Sequence, residues 1–181
     1  MRRFTFAYLV VLIAVLSRFL PHLPNFSPAL AAVLFGGAHL KRREAIWYPI
    51  LLLSASDFLL TPIVYQVRIG PNQSIIWLAF AVVAMIGYWL RKHENVTRVA
   101  FASLAAPTAF FVISNFGVWL GGHGTRMYPA TWDGLFACYI AAFPFYKNSL
   151  IATAMYTVGL FGANEISRRR QHGIETPAQA S

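Results

Sequence analysis

Acidic side chains are scarce in this chain. Six Asp and Glu stand against fifteen Lys and Arg among 181 residues, and charged residues of both signs make up only 12%. That is about half the share found in soluble domains. With 57% of residues hydrophobic, a water-soluble globular domain is excluded and a bilayer is the expected solvent. Cysteine occurs once, as Cys138, which excludes an intramolecular disulfide and a cysteine-rich metal cluster. His22, His39 and His123 lack the spacing of a metal site, and no H-E-x-x-H occurs. No G-x-x-x-x-G-K-[ST] loop is present, so any ATP hydrolysis belongs to a partner. No nucleophile and base stand at a recognisable spacing, so no catalytic residue is assigned. The basic excess lies beside apolar runs and forms no aromatic-interleaved stripe, which argues against nucleic acid.

What is present is an ordered alternation. Six apolar spans fall at roughly 4–20, 28–40, 46–65, 74–90, 99–120 and 148–166, with basic residues clustered between them. With the N-terminus inside the cell, the inner side receives Arg2, Arg3, Lys41, Arg42, Arg43, Arg91, Lys92, Arg98 and Arg168 to Arg170, eleven in all. The outer side receives four, Arg18, Arg68, Arg126 and Lys147. This asymmetry predicts an all-α polytopic bundle of about six transmembrane helices, with both termini inside. Aromatic belts agree, with Trp47, Tyr48, Tyr88 and Trp89 inner and Tyr65, Trp77, Trp119, Tyr128 and Trp132 outer. A single membrane domain over 1–170 and a disordered polar tail over 171–181 complete the expected organisation.

Two stretches do not fit the plain pattern. The 28–40 span is too short for a hydrocarbon core of about 30 Å, so it is tilted, re-entrant or shielded by protein. The 131–147 stretch is apolar, but counting it as a pass would send Arg168 to Arg170 outside, so it is expected as a helical segment at the outer face, ended by Pro144. Thr131 reads as its N-cap, with Asp133 favourable in the first turn.

Inner connections are short and charged, while the outer ones are long and varied, which points to recognition on the outer side. Asp57 lies roughly 17 Å into its span and Arg18 roughly 21 Å into the first, similar depths at which the two can pair. A charge at that depth is a candidate site with a partner, or else a structural tie. Asn115 lies about 24 Å into the fifth span and serves either a ligand or a neighbouring helix. The expected ligand contacts are Asn25, Phe26, Asp57, Trp77, Asn115, Trp119, Tyr128 and Tyr146: aromatics for stacking, amides and the carboxylate for orientation. No resident metal or cofactor is expected. His22, His123 or Cys138 remains able to meet a metal carried by a substrate, with small-hydrophobe packing the commoner fate of a lone cysteine. Ala32-x-x-x-Gly36 and Gly159-x-x-x-Ala163 are faces on which helices can approach closely.

Several separated segments, Arg18 to Pro28, Phe35-Gly-Gly-Ala38, Ser56-Asp57, Ser114 to Trp119 and Tyr139 to Asn148, resemble an uncharacterised family of small bacterial membrane proteins classed with transporters. In size and topology that family is similar to the S-components of energy-coupling factor transporters. The resemblance implies a multi-pass subunit of the bacterial inner membrane that captures a vitamin or similar micronutrient, cobalamin included, in a pocket on the outer side. It also implies a partner membrane subunit with ATPases, docked on a small-x-x-x-small face whose nearest equivalent here is Ala32-x-x-x-Gly36. An intramembrane enzyme acting on a lipid-linked substrate and a structural or assembly protein are the alternatives.

Overall fold

The computed structural model of the chain describes residues 2–21, 23–63, 73–121 and 128–175, the side chains of 2, 3 and 170–175 aside. Six α-helices account for nearly all of it: α1 (Arg2–Leu16), α2 (Ala29–His39), α3 (Trp47–Ile63), α4 (Gln73–Leu90), α5 (Val96–Gly121) and α6 (Trp132–Glu175). A single 3-10 turn, Ser17–Phe19, follows α1, and no strand occurs among the described residues. The first five helices coincide with the apolar spans read from the sequence, because apolar runs bounded by Pro, Gly and charge leave few other places to start and stop. His22, Tyr65, Arg68, His123 and Arg126 lie outside the described residues.

The short second span is shielded by protein. Its eleven residues rise about 16 Å, and every residue from Ala29 to Ala38 is buried. Contacts from α1, α4, α5 and α6 surround it. Apolar burial supplies little net drive between helices in lipid, so close van der Waals packing must hold such a core. Phe35 meets Phe6 and Phe161 edge to face, at 5.9 and 5.2 Å between ring centroids. Gly37 and Gly87 put α2 and α4 in backbone contact: a Cβ at Gly87 would strike the carbonyl of Leu34, and one at Gly37 the carbonyl of Ala84. The Ala32-x-x-x-Gly36 face is covered as well, with Gly36 turned toward Val11 of α1 and Pro49 of α3, so it is closed to a docking partner.

The expected outer segment ending at Pro144 is corrected by the structure. Residues 132–147 are the first part of one 44-residue helix, with Pro144 inside it and the helix continuing through Gln171–Glu175, where a disordered tail was expected to begin. A proline inside a helix costs about 3 kcal/mol, but α6 is tied to α5 on both sides of it. Tyr139 Oη donates to the carbonyl of Val112 at 2.6 Å, and Tyr146 Oη lies 2.9 Å from Thr108 Oγ1. The cap at its start is as read: the Gly134 N–H donates to Thr131 Oγ1 at 3.2 Å, with Asp133 in the first turn.

Among the described residues three helices are long and apolar enough to cross a membrane: α4, α5 and the 132–169 portion of α6. That portion rises about 57 Å, nearly twice a hydrocarbon core. The remaining apolar helices are shorter.

The α2–α4 contact generates a stability test. Gly87→Ala is expected to lower the unfolding temperature of the purified protein strongly, since no rotamer change relieves a backbone clash and overpacking costs about 1–3 kcal/mol or more. Gly159→Ala, with nothing within 4 Å of its Cβ position, is expected to leave that temperature unchanged or raise it. Equal effects of the two would refute the backbone contact.

Candidate functional site

Asp57 and Arg18 meet as their depths suggested. Asp57 is carried by the middle of α3, and Arg18 by the 3-10 turn after α1. Arg18 Nη2 donates to Asp57 Oδ1 at 2.6 Å, with the Asp57 side chain 5% exposed and that of Arg18 18%. The second carboxylate oxygen is also held, by Gln73 Nε2 at 2.6 Å and Trp77 Nε1 at 3.0 Å, both from α4. Arg18 Nη1 donates to Ser56 Oγ and, at 3.5 Å, to the carbonyl of Leu53. One carboxylate therefore joins the end of α1, the middle of α3 and the start of α4. Trp77, expected in the outer belt, turns its indole N–H inward to this group.

Arg18, Asp57 and Gln73 form one wall of a cavity of about 510 Å³. Its polar lining comes from Arg18, Asn25, Ser27, Asp57, Thr61, Gln73 and Ser149, and its apolar lining includes Leu30, Ile76, Phe80 and Phe110. The connection between α1 and α2 closes one side. Asn25 takes a left-handed φ of 59°, which asparagine tolerates better than most residues. That connection is fastened to α6, because Asn148 Nδ2 donates to the carbonyl of Pro24 at 3.0 Å and Ser149 Oγ to that of Asn25 at 3.4 Å.

The start of α2 opens into the same space. No side chain caps it, and its backbone bonding begins with Ala32 N–H to the Pro28 carbonyl at 2.8 Å. Ala29 and Leu30 line the cavity, so first-turn N–H groups and the positive end of the helix dipole lie beside it. A smaller cavity of about 100 Å³ adjoins, sharing Asn25, Phe110 and Ser149 and adding Asn115 and Tyr146.

Of the eight expected contacts, Asn25 and Asp57 line the larger cavity, Asn115 and Tyr146 the smaller, and Trp77 stands behind Asp57. The other three are placed elsewhere. Phe26 packs against Tyr156, with ring centroids 6.4 Å apart. Trp119 donates to the Pro129 carbonyl at 3.1 Å and stacks near Phe116, and Tyr128 lines neither cavity. Asn115 is partly spent within its own helix, donating to the Phe111 carbonyl at 2.8 Å. The larger cavity is also lined by residues outside the eight, among them Gln73, Phe80, Phe110 and Ser149. Gln73 alone carried a local signal, as a polar residue opening an apolar span; the others are ordinary span residues.

The opposite end of the bundle is cationic and carries a second polar group. Arg91 caps α2, with Nε donating to the carbonyl of Gly37 at 2.8 Å, Nη2 to that of Leu40, and the guanidinium 4.9 Å from the Tyr88 ring centre. A cation at a helix C-terminus is favourable, although burial lowers the pKa of Arg91, Tyr88 acts the other way and Arg42 adds to the lowering. His39 lies beside it, within reach of Glu94 and Asn164. Cys138 is buried, its Sγ directed to the carbonyl of Asn115 at 3.5 Å. Among the described residues no cluster of three His, Cys, Asp or Glu is placed to hold a metal.

Removing the Asp57 charge tests the site's electrostatics. Asp57→Asn is expected to cost about 3–5 kcal/mol of stability, because it leaves a largely buried guanidinium without its carboxylate. The double replacement Arg18→Met with Asp57→Leu is expected to recover most of that loss in thermal unfolding; an additive loss would contradict it.

No curated protein and no solved structure matches the chain. The family comparison, by contrast, covers almost its whole length: residues 1–177 match the family described as a family of unknown function (DUF6580), and the chain belongs to that family.

Proposed function

We propose that this protein is a membrane substrate-binding subunit for uptake of a vitamin-like micronutrient, working in a bacterial inner membrane in the manner of the S-components it resembles. The observation that carries the reading is the cavity of about 510 Å³ walled by Arg18, Asp57, Gln73 and Asn25 on its polar side and Phe80, Phe110 and Ile76 on its apolar side. Its size falls within the range of about 300–1,000 Å³ typical of small-molecule sites, and a few convergent polar groups on an apolar wall are their usual composition.

Orientation supports the same reading. The connections bearing Lys41 to Arg43 and Arg91 to Arg98 lie at the end of α2 away from the cavity. The positive-inside rule then turns the cavity outward, with six helices and both termini in the cytoplasm. The ligand that fits is amphipathic, with a flat apolar part for Phe80 and Phe110 and an acidic or amide end for Arg18, Gln73 and the start of α2. Cobalamin fits less well, since a corrinoid is bulky for this space and the thiol of Cys138 is directed at a backbone carbonyl.

An enzymatic reading loses support from Asp57. A carboxylate that already accepts from Arg18, Gln73 and Trp77 is poorly placed to take a proton from a substrate. An ATP-hydrolysing partner would engage a surface other than the buried Ala32-x-x-x-Gly36 face.

A panel of water-soluble vitamins titrated into the purified protein, with Trp77 fluorescence and calorimetry as readouts, is expected to reveal one binder. Gln73→Ala and Phe110→Ala should each weaken it, the former by about three- to tenfold for one lost hydrogen bond. Trp119→Phe should not. Absence of any binder, or equal affinity in all variants, would overturn the reading.

A further inference from the structure

The end of the bundle remote from the cavity holds a histidine whose partners demand different protonation states. His39 Nδ1 lies 3.1 Å from the carbonyl of Phe35, an acceptor, so this nitrogen carries a proton. Its Nε2 then faces two groups at once. Asn164 Nδ2, a donor, lies 2.9 Å away, and Glu94 Oε2, an acceptor, lies 3.1 Å away. A neutral imidazole with Nδ1–H offers Nε2 as a lone pair, which satisfies Asn164 and opposes the Glu94 carboxylate. A proton added at Nε2 reverses this: the new N–H donates to Glu94 and the Asn164 amide donor is displaced.

The position of the group gives that exchange reach. His39 is the last residue of α2, the helix whose first residues line the cavity. Glu94 belongs to the connection between α4 and α5, and Asn164 to α6. The imidazole is stacked on Phe35 at 4.1 Å and meets Phe161 of α6 edge-on at 5.3 Å, so a change of partner at Nε2 acts on a ring packed between α2 and α6. One face of α6 runs between the two ends. Ser149 lines both cavities, and Thr153 and Thr157 follow it at four-residue steps on the same face of α6, buried and with hydroxyls that have no hydrogen-bond partner. Asn164 falls within the same arc of that helix, about 22 Å from Ser149.

We propose that His39, Glu94 and Asn164 form a proton-binding site, and that the proton it takes up from the basic face changes the cavity through α2. The other titratable groups at this end are Arg91, which caps α2; Lys41, Arg42, Arg43 and Glu44 in the α2–α3 connection; Tyr88 on α4; Lys92 and His93 in the α4–α5 connection; Arg98 on α5, over Trp89; Tyr8 on α1; Tyr48 on α3; and Glu165 on α6, paired with Arg168 and Arg169. Glu94 is the carboxylate placed on the imidazole. On the uptake reading, on which this last step rests, the site would link solute capture to a proton on the opposite face.

The test uses the full chain in lipid nanodiscs with labelled histidine and tryptophan, and needs no solute. As the pH is lowered, proton uptake at Nε2 is expected to take His39 from the Nδ1–H form to the doubly protonated form. The indole N–H resonance of Trp77, assigned by Trp77→Phe, is expected to shift with it, because that N–H is bonded to Asp57 in the cavity wall. Glu94→Gln and His39→Gln should both abolish the Trp77 shift, while Lys92→Gln in the same connection retains it. Glu94 is part-exposed, so its replacement keeps the test open should the His39 variant fail to fold. An imidazole in one form throughout, or a Trp77 shift that survives Glu94→Gln, would overturn the proposal. Solute binding is not read here, so either result leaves the vitamin-binding reading to its own experiment.

Discussion

An eleven-residue helix that cannot cross a bilayer organises this molecule. Backbone at membrane depth must be covered by protein or line a cavity, and α2 does both: its sides are sheathed by other helices and its first turn opens on the cavity. The sheath closes only because Gly37 and Gly87 let α2 and α4 meet backbone to backbone. Its two ends are finished differently. Arg91 supplies a cation to the C-terminus, while the N-terminus is left uncapped beside Arg18 and Asn25.

The polar chemistry follows from that arrangement. Asp57 is surrounded by donors from α1 and α4, which makes it the joint of three helices as well as part of the cavity wall. A carboxylate at that depth is stable because both oxygens are used, and the guanidinium that neutralises it retains some exposure. The group that ties the helices together and the group that walls the cavity are one. The residues that complete the cavity, Phe80, Phe110 and Ser149, were brought there by the packing of α4, α5 and α6 around the start of α2.

Much of this was legible locally. The positions of the first five helices followed from apolar runs and their punctuation, and the Arg18–Asp57 pair from equal depth. Asn25, Asn115 and Tyr146, chosen because amides and a tyrosine stand out in apolar surroundings, line cavities. Trp119 and Tyr128 were chosen on the same ground and lie elsewhere, since an unusual residue in a chain is not thereby turned inward. Pro144 misled for a related reason. Its intrinsic cost is real, but the hydrogen bonds of Tyr139 and Tyr146 to α5 hold the helix through it.

The sequence by itself determined the class of protein, the helical segments and the end to which the basic residues go, because hydropathy, helix-breaking residues and charge act over one or two turns and need no partner. Only the tertiary structure decided that α2 is sheathed, that α6 is one helix and that a cavity lies between Arg18, Gln73, Phe110 and Ser149. A cavity is space left between helices, and its walls depend on interaxial distances that small residues such as Gly37 and Gly87 permit but do not announce.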